Sequence, residues 1–149
     1  MTARSAAAHL VRRWLGALSR REPEPHDLAT VREVLSSSEL ALWSRLRVED
    51  RRHSIEVLRR FDQRVASATR AARAGALLHD IGKVDSDLGI TARVVATVVG
   101  PRGERFATYH RHEEIGMAML RSVGSDAETI ELVGGRGAHA AALAAADEI

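Results

Sequence analysis

The chain has no cysteine, which excludes a disulfide framework, a thiolate metal site and a cysteine nucleophile, and points to the cytoplasm. It has two tryptophans, one tyrosine and two phenylalanines, too few for the stacking platforms that bind single-stranded nucleic acid. Only three prolines interrupt it, and alternating β-branched or aromatic runs are almost missing, which argues against sheets. No apolar run approaches the roughly 18 residues of a membrane span. The alanine-rich start, "SAAAHLVRRWLGAL", is broken by His9, Arg12 and Arg13, unlike a signal peptide.

Charge of one sign is also lacking. The net charge is +2, although lysine and arginine together number 22. A nucleic-acid partner is permitted by this balance but not indicated. All of those cations but one are arginine, and the exception, Lys83, lies within "GALLHDIGKVDSD" at residues 75–87. A compact ammonium there suits a role that an arginine fork would not fill.

What is abundant is alanine, leucine, arginine and glutamate, the composition of helices. The 149 residues suit one domain. The pattern predicts an all-α chain with helices near 6–20, 27–36, 39–47, 50–67, 70–81, 88–99, 111–123, 126–133 and 138–148. Pro23, Pro25, Gly82, Gly89, Gly100-Pro101 and "GGRG" at 134–137 mark the breaks. The arginine pairs near 12 and 59 read as solvated helix faces.

Several polar residues fall on inward faces. In the helix over 70–81, Ala74, Leu77, Leu78 and Ile81 form a core stripe. His79 lies instead on a face with Ala72, Gly75 and Ala76, where small side chains allow another helix to come close. A buried histidine needs a partner, since an unpaired polar group costs about 1–3 kcal/mol. His53 sits one turn before Val57 at the edge of the Val57, Leu58, Phe61, Val65 stripe. His112 begins a stripe with Ile115, Gly116, Met119 and Val123, whereas His110 aligns with Glu114, Met117 and Arg121. Asp147 follows Leu143 by one turn in "AHAAALAAADEI" and needs a partner too. His139 shares that stripe, but eight helical residues are about 12 Å, too far for both to bind one ion. Asp80 has a plainer alternative, capping the helix end or pairing with Arg73.

The ordered set of "DRRHS" around His53, "ALLHDIGK" at 76–83, "HEEIG" at 112–116 and "LAAADE" around Asp147 resembles the HD-domain superfamily of metal-dependent phosphohydrolases, over about two thirds of the chain. The resemblance implies a compact orthogonal helical bundle, one domain over 1–149, with N-terminal helices in 1–48 packed on a core at 49–149. It also implies that His53, His79, Asp80 and Asp147 converge on one divalent transition metal, manganese, iron, cobalt, nickel or zinc. The reaction it implies is hydrolysis of a phosphate ester of a nucleotide or small phosphorylated metabolite by a metal-activated water. Asp80 would orient the water, and Lys83 and Arg52 would contact phosphate. His112 resembles the first further histidine of two-metal members and stands either beside the site or in an incomplete second one. Gly134 and Gly135 stand where another ligand is expected, and the "GYP" extension of the cyclic-dinucleotide branch is absent. Two other readings stay open: a regulatory module that keeps the scaffold and binds metal or nucleotide without turnover, and a helical adaptor that binds nucleic acid or protein through its arginine faces.

Overall fold

The second of the expected breaks, at Pro25, is where the described helices begin. The computed structural model describes residues 21–88 and 102–148, with side chains at 21–84 and 111–148. Every regular element among them is helical, in a bundle of seven α-helices and one 3-10 segment.

Helix α1, Pro25–Val34, opens with a proline whose preset φ suits the first turn, and Asp27 complements the positive end of its dipole. Ser36 then starts α2, Ser37–Trp43, with a reciprocal cap: its hydroxyl accepts from the Glu39 N–H (3.3 Å), and its own N–H donates to Glu39 Oε2 (2.8 Å). Helix α3 spans Val48–Arg64. Helix α4, Arg70–Leu78, is capped by the Thr69 hydroxyl on the Ala72 N–H at 3.0 Å. A 3-10 segment follows at Ile81–Leu88, then α5 at Arg102–Ser122, α6 at Ala127–Val133 and α7 at Ala140–Asp147. No helix among the described residues is long and apolar enough to cross a membrane. The helices expected at 6–20 and 88–99 lie outside the described residues.

Helix α4 is the centre of the bundle, packed against α1, α3 and α6. Seven of its nine residues are buried. The expected stripe of Ala74, Leu77, Leu78 and Ile81 is fully enclosed, and the same buried cluster takes in Val31, Val34, Leu42 and Trp43 from α1 and α2. The small-residue face admits α6: a methyl on Gly75 would come within 2.9 Å of Leu132 Cδ2, and the buried Thr129 hydroxyl donates to the Ala71 carbonyl at 2.8 Å.

Four expectations need correction. The helix predicted over 70–81 stops at Leu78 and tightens into the 3-10 segment, with the Lys83 N–H donating to the Asp80 carbonyl at 2.9 Å. The helix predicted from 111 begins at Arg102. Its buried side is Gly116, Met117 and Leu120, so the expected stripe through Ile115 and Met119 is rotated from the true one. The reason is local: α5 lies across the 3-10 segment and α6, with Gly116 against Ile81 and Val133. The arginines near 59 divide. Arg59 is exposed and pairs with Asp27, whereas Arg60 is mostly enclosed and reaches α7.

Gly82 is a point of close approach, where an added Cβ would collide with the backbone carbonyl of His112. Backbone cannot swing aside as a flexible side chain can. Gly82→Ala is therefore expected to destabilise the protein by roughly 3 kcal/mol in chemical denaturation. Gly124→Ala, at φ 72° with no neighbour within 4 Å of its Cβ, should cost only about 1 kcal/mol. Equal losses at the two sites would refute the packing explanation.

Candidate metal centre

Three helices deliver the polar groups. His53 comes from the second turn of α3, His79 from the residue that ends α4, and Asp147 from the last residue of α7. One ligand atom of each lies within 4.8 Å of the others, and among the described residues this is the group of its kind that can hold an ion. His53 Nε2–H donates to Asp147 Oδ1 at 2.8 Å. His79 Nε2 lies 3.4 Å from the same oxygen and 3.4 Å from Asp80 Oδ2. The two imidazoles meet edge to face, with centroids 5.6 Å apart.

The orientation of His79 follows from where α4 stops. The final carbonyls of a helix lack intrahelical donors. His79 Nδ1–H supplies one, donating to the Ala76 carbonyl at 2.9 Å. That bond assigns the proton to Nδ1 and leaves Nε2 as the free nitrogen, the tautomer a metal ligand needs. Nε2 is buried and makes no hydrogen bond among the described residues. A lone pair facing two carboxylate oxygens is repelled unless a cation, a proton or a metal ion, stands between them. The donor set thus fits a divalent ion, two imidazoles with a carboxylate being the ligand chemistry of the first-row transition metals. The His79 side chain is only 9% exposed, against 34% for His53 and 37% for Asp147, so the group opens to solvent on the side of those two.

Asp80 stands at the margin of the group and not within it. Its Oδ2 takes the Lys83 ammonium at 2.6 Å, one 3-10 turn on. The alternative of an Asp80–Arg73 pair is removed, because Arg73 is forked onto Asp62 at 3.0–3.2 Å. His112 is half-buried on α5, with its backbone carbonyl against Gly82. His139 stands at the start of α7 edge-on to Phe61, at 6.0 Å, away from the three ligands. Arg52 lines a different feature, a cavity of about 230 Å³ bounded also by Arg21, Asp27, Ile55 and Arg59.

Asp50 was not among the residues expected. It lies on α3 three residues before His53, and its carboxyl is electrostatically coupled to Lys83 and Asp80. The i, i+3 spacing within "DRRHS" was the available signal. Burial pushes the Asp50 carboxyl up, against the lowering charge of Lys83 and with further upward push from Asp80. For Lys83, burial opposes the charge, but Asp80, then Asp50 and Asp147, outweigh it and raise the ammonium pKa.

No family model, curated protein or solved structure matches the chain.

The two ligand types titrate in opposite directions. Hydrogen bonding from His53, then contact with His79, holds the Asp147 carboxyl far below its ordinary 3.8. Burial disfavours the charged form of His79, but the Asp147 carboxylate and the charge of Asp80 prevail and raise its pKa above 6.5. The stability from Asp147 is therefore present above pH 3.8 and lost as pH falls toward the depressed folded value. The stability from His79 is complete below pH 6.5 and lost as pH rises through the raised folded value. In chelator, the urea midpoint of the wild-type chain is expected to decline as pH rises above 6.5 through the raised folded value. His79→Gln should flatten that decline, and a decline of unchanged size would exclude His79 as its source.

Proposed function

We propose that the chain is a metal-dependent phosphohydrolase of the HD-domain type, acting on a phosphate ester of a nucleotide or another small phosphorylated metabolite in the cytoplasm. The observation that supports this most is the convergence of His53, His79 and Asp147 from three separate helices onto one point, with a buried imidazole nitrogen turned toward carboxylates. His53, His79 and Asp147 would hold the ion, with Asp80 beside them. A divalent ion bound there acidifies a water and neutralises charge on a phosphoryl group.

The chain's own residues supply the rest. Lys83 is 45% exposed and carries a raised pKa, so it keeps an ammonium at neutral pH where a phosphate oxygen can reach it. Asp80 holds that ammonium and offers a carboxylate oxygen to orient an incoming water. Asp50 adds negative charge behind Lys83, which keeps the lysine charged and makes the surroundings of the ligands more attractive to a cation. Arg52, next to His53 on α3, would be a further phosphate contact, and it also lines the cavity bounded by Arg21 and Asp27. One ion suits the site better than two, because Gly134 and Gly135 supply no ligand and His139 packs on Phe61.

Elemental analysis of protein purified without added metal or affinity-tag nickel is expected to find a transition metal near one equivalent. With manganese, a panel of nucleoside phosphates, cyclic nucleotides and simple esters should reveal turnover. Asp147→Asn and Asp80→Asn should each lower kcat by on the order of a hundredfold or more with the circular dichroism unchanged. Stoichiometric metal without turnover on any member of the panel would favour the regulatory scaffold. No metal uptake on reconstitution at neutral pH would sink the reading altogether.

A further inference from the structure

We propose that Arg60 is a positioning residue for the metal centre, fixing Asp147 by holding the carbonyl of the residue before it. The inference rests on reading His53, His79 and Asp147 as ligands.

Helix α7 has eight residues, "AAALAAAD", of which Leu143 and Ala146 are the buried ones. Ridges of larger side chains normally interlock two helices at one axial position. Alanine methyls give little relief, so a small slide or rotation of α7 along α3 would leave its apolar burial almost unchanged. Directional contacts must set its place. At the start of α7, the His139 ring stands edge-on to Phe61 of α3. At its end, Arg60 Nη1 donates to the Ala146 carbonyl at 3.2 Å, while His53 meets Asp147.

The Arg60 contact has a specific consequence. The peptide plane joining Ala146 to Asp147 is rigid, so holding its oxygen also places the nitrogen and Cα of Asp147. With φ of Asp147 held by the helical turn it ends, what then remains is the two side-chain torsions of the aspartate. Ala146 O belongs to the last turn of α7, where carbonyls lack helical donors and a cation complements the dipole. The Arg60 fork is itself steadied from one turn back by Glu56, Nη2 to Oε2 at 3.4 Å. A metal ligand has to sit within about 0.2 Å of its ideal distance, which loose packing of methyls does not ensure.

The test uses the full chain, stripped of metal and titrated with Co²⁺ while the visible ligand-field bands and the thermal midpoint are followed. Arg60→Met keeps the aliphatic stem and removes the donors. It is expected to weaken Co²⁺ binding about tenfold or more and to alter the bands. Arg60→Lys should recover part of the loss. Arg64→Met is the control: Arg64 sits one turn along the same helix and donates to the Arg60 carbonyl, not to α7. Wild-type affinity and bands in folded Arg60→Met would overturn the proposal, as would an equal loss in Arg64→Met. Should Arg60→Met fold poorly, Arg60→Leu, which likewise carries no donor, is read by the same criteria. A wild-type chain that takes up no Co²⁺ overturns the ligand reading and this inference with it, whereas normal uptake in both wild type and Arg60→Met overturns only the inference.

Discussion

The end of α4 lies in the interior of the bundle, and every polar group it carries must find a partner there. That constraint organises the rest. Seven of the helix's nine residues are enclosed, so its terminal carbonyls do not all meet water, and His79 turns its Nδ1–H back onto Ala76. The same turn leaves Nε2 pointing away from α4, into a space that His53 and Asp147 enter from α3 and α7. Helix termination and ligand presentation are thus one event. An unpaired buried nitrogen would cost about 1–3 kcal/mol, which a proton or a metal ion shared with the carboxylates offsets.

Small residues make that arrangement reachable. Gly75 lets α6 lie against α4, and Gly82 lets α5 lie against the 3-10 segment that follows His79. Both contacts bring helices closer than a methyl group would allow, and both flank the His79-Asp80 pair. On the third side α7 is nearly all alanine, which allows close approach to α3 but gives poor axial definition. Polar contacts compensate there: Arg60 on the Ala146 carbonyl, and His53 on Asp147. The bundle therefore uses shape to bring the ligands near one another and hydrogen bonds to fix them.

The charge around the centre is consistent with that division. Asp50, Asp80 and Asp147 surround the two histidines and the chain's one lysine. This local excess of carboxylate is hidden in a chain whose net charge is +2. It raises His79 and Lys83 and favours a cation among the imidazoles, while the arginines elsewhere are engaged in pairs such as Arg73–Asp62 and Arg59–Asp27.

The sequence by itself determined the helical class, the core stripe of α4, the inward faces of His53 and His79, and the need of Asp147 for a partner. These follow from 3.6-residue periodicity and from the cost of burying polar groups, both properties of a single segment. The small-residue face at Gly75 was legible for the same reason, although the identity of the helix it admits was not. Only the tertiary structure decided that α4 stops at Leu78, ahead of the break expected at Gly82, and that α5 meets Gly82 from thirty residues away in the chain. It also decided the buried side of α5, the pairing of Asp80 with Lys83, and the turning of Arg52 toward a separate cavity while Asp50 faces the centre. Arg60 shows the limit most plainly. In sequence it is one of two adjacent arginines on a polar face, and what separates it from Arg59 is the carbonyl of a residue 86 positions later, which no local pattern encodes.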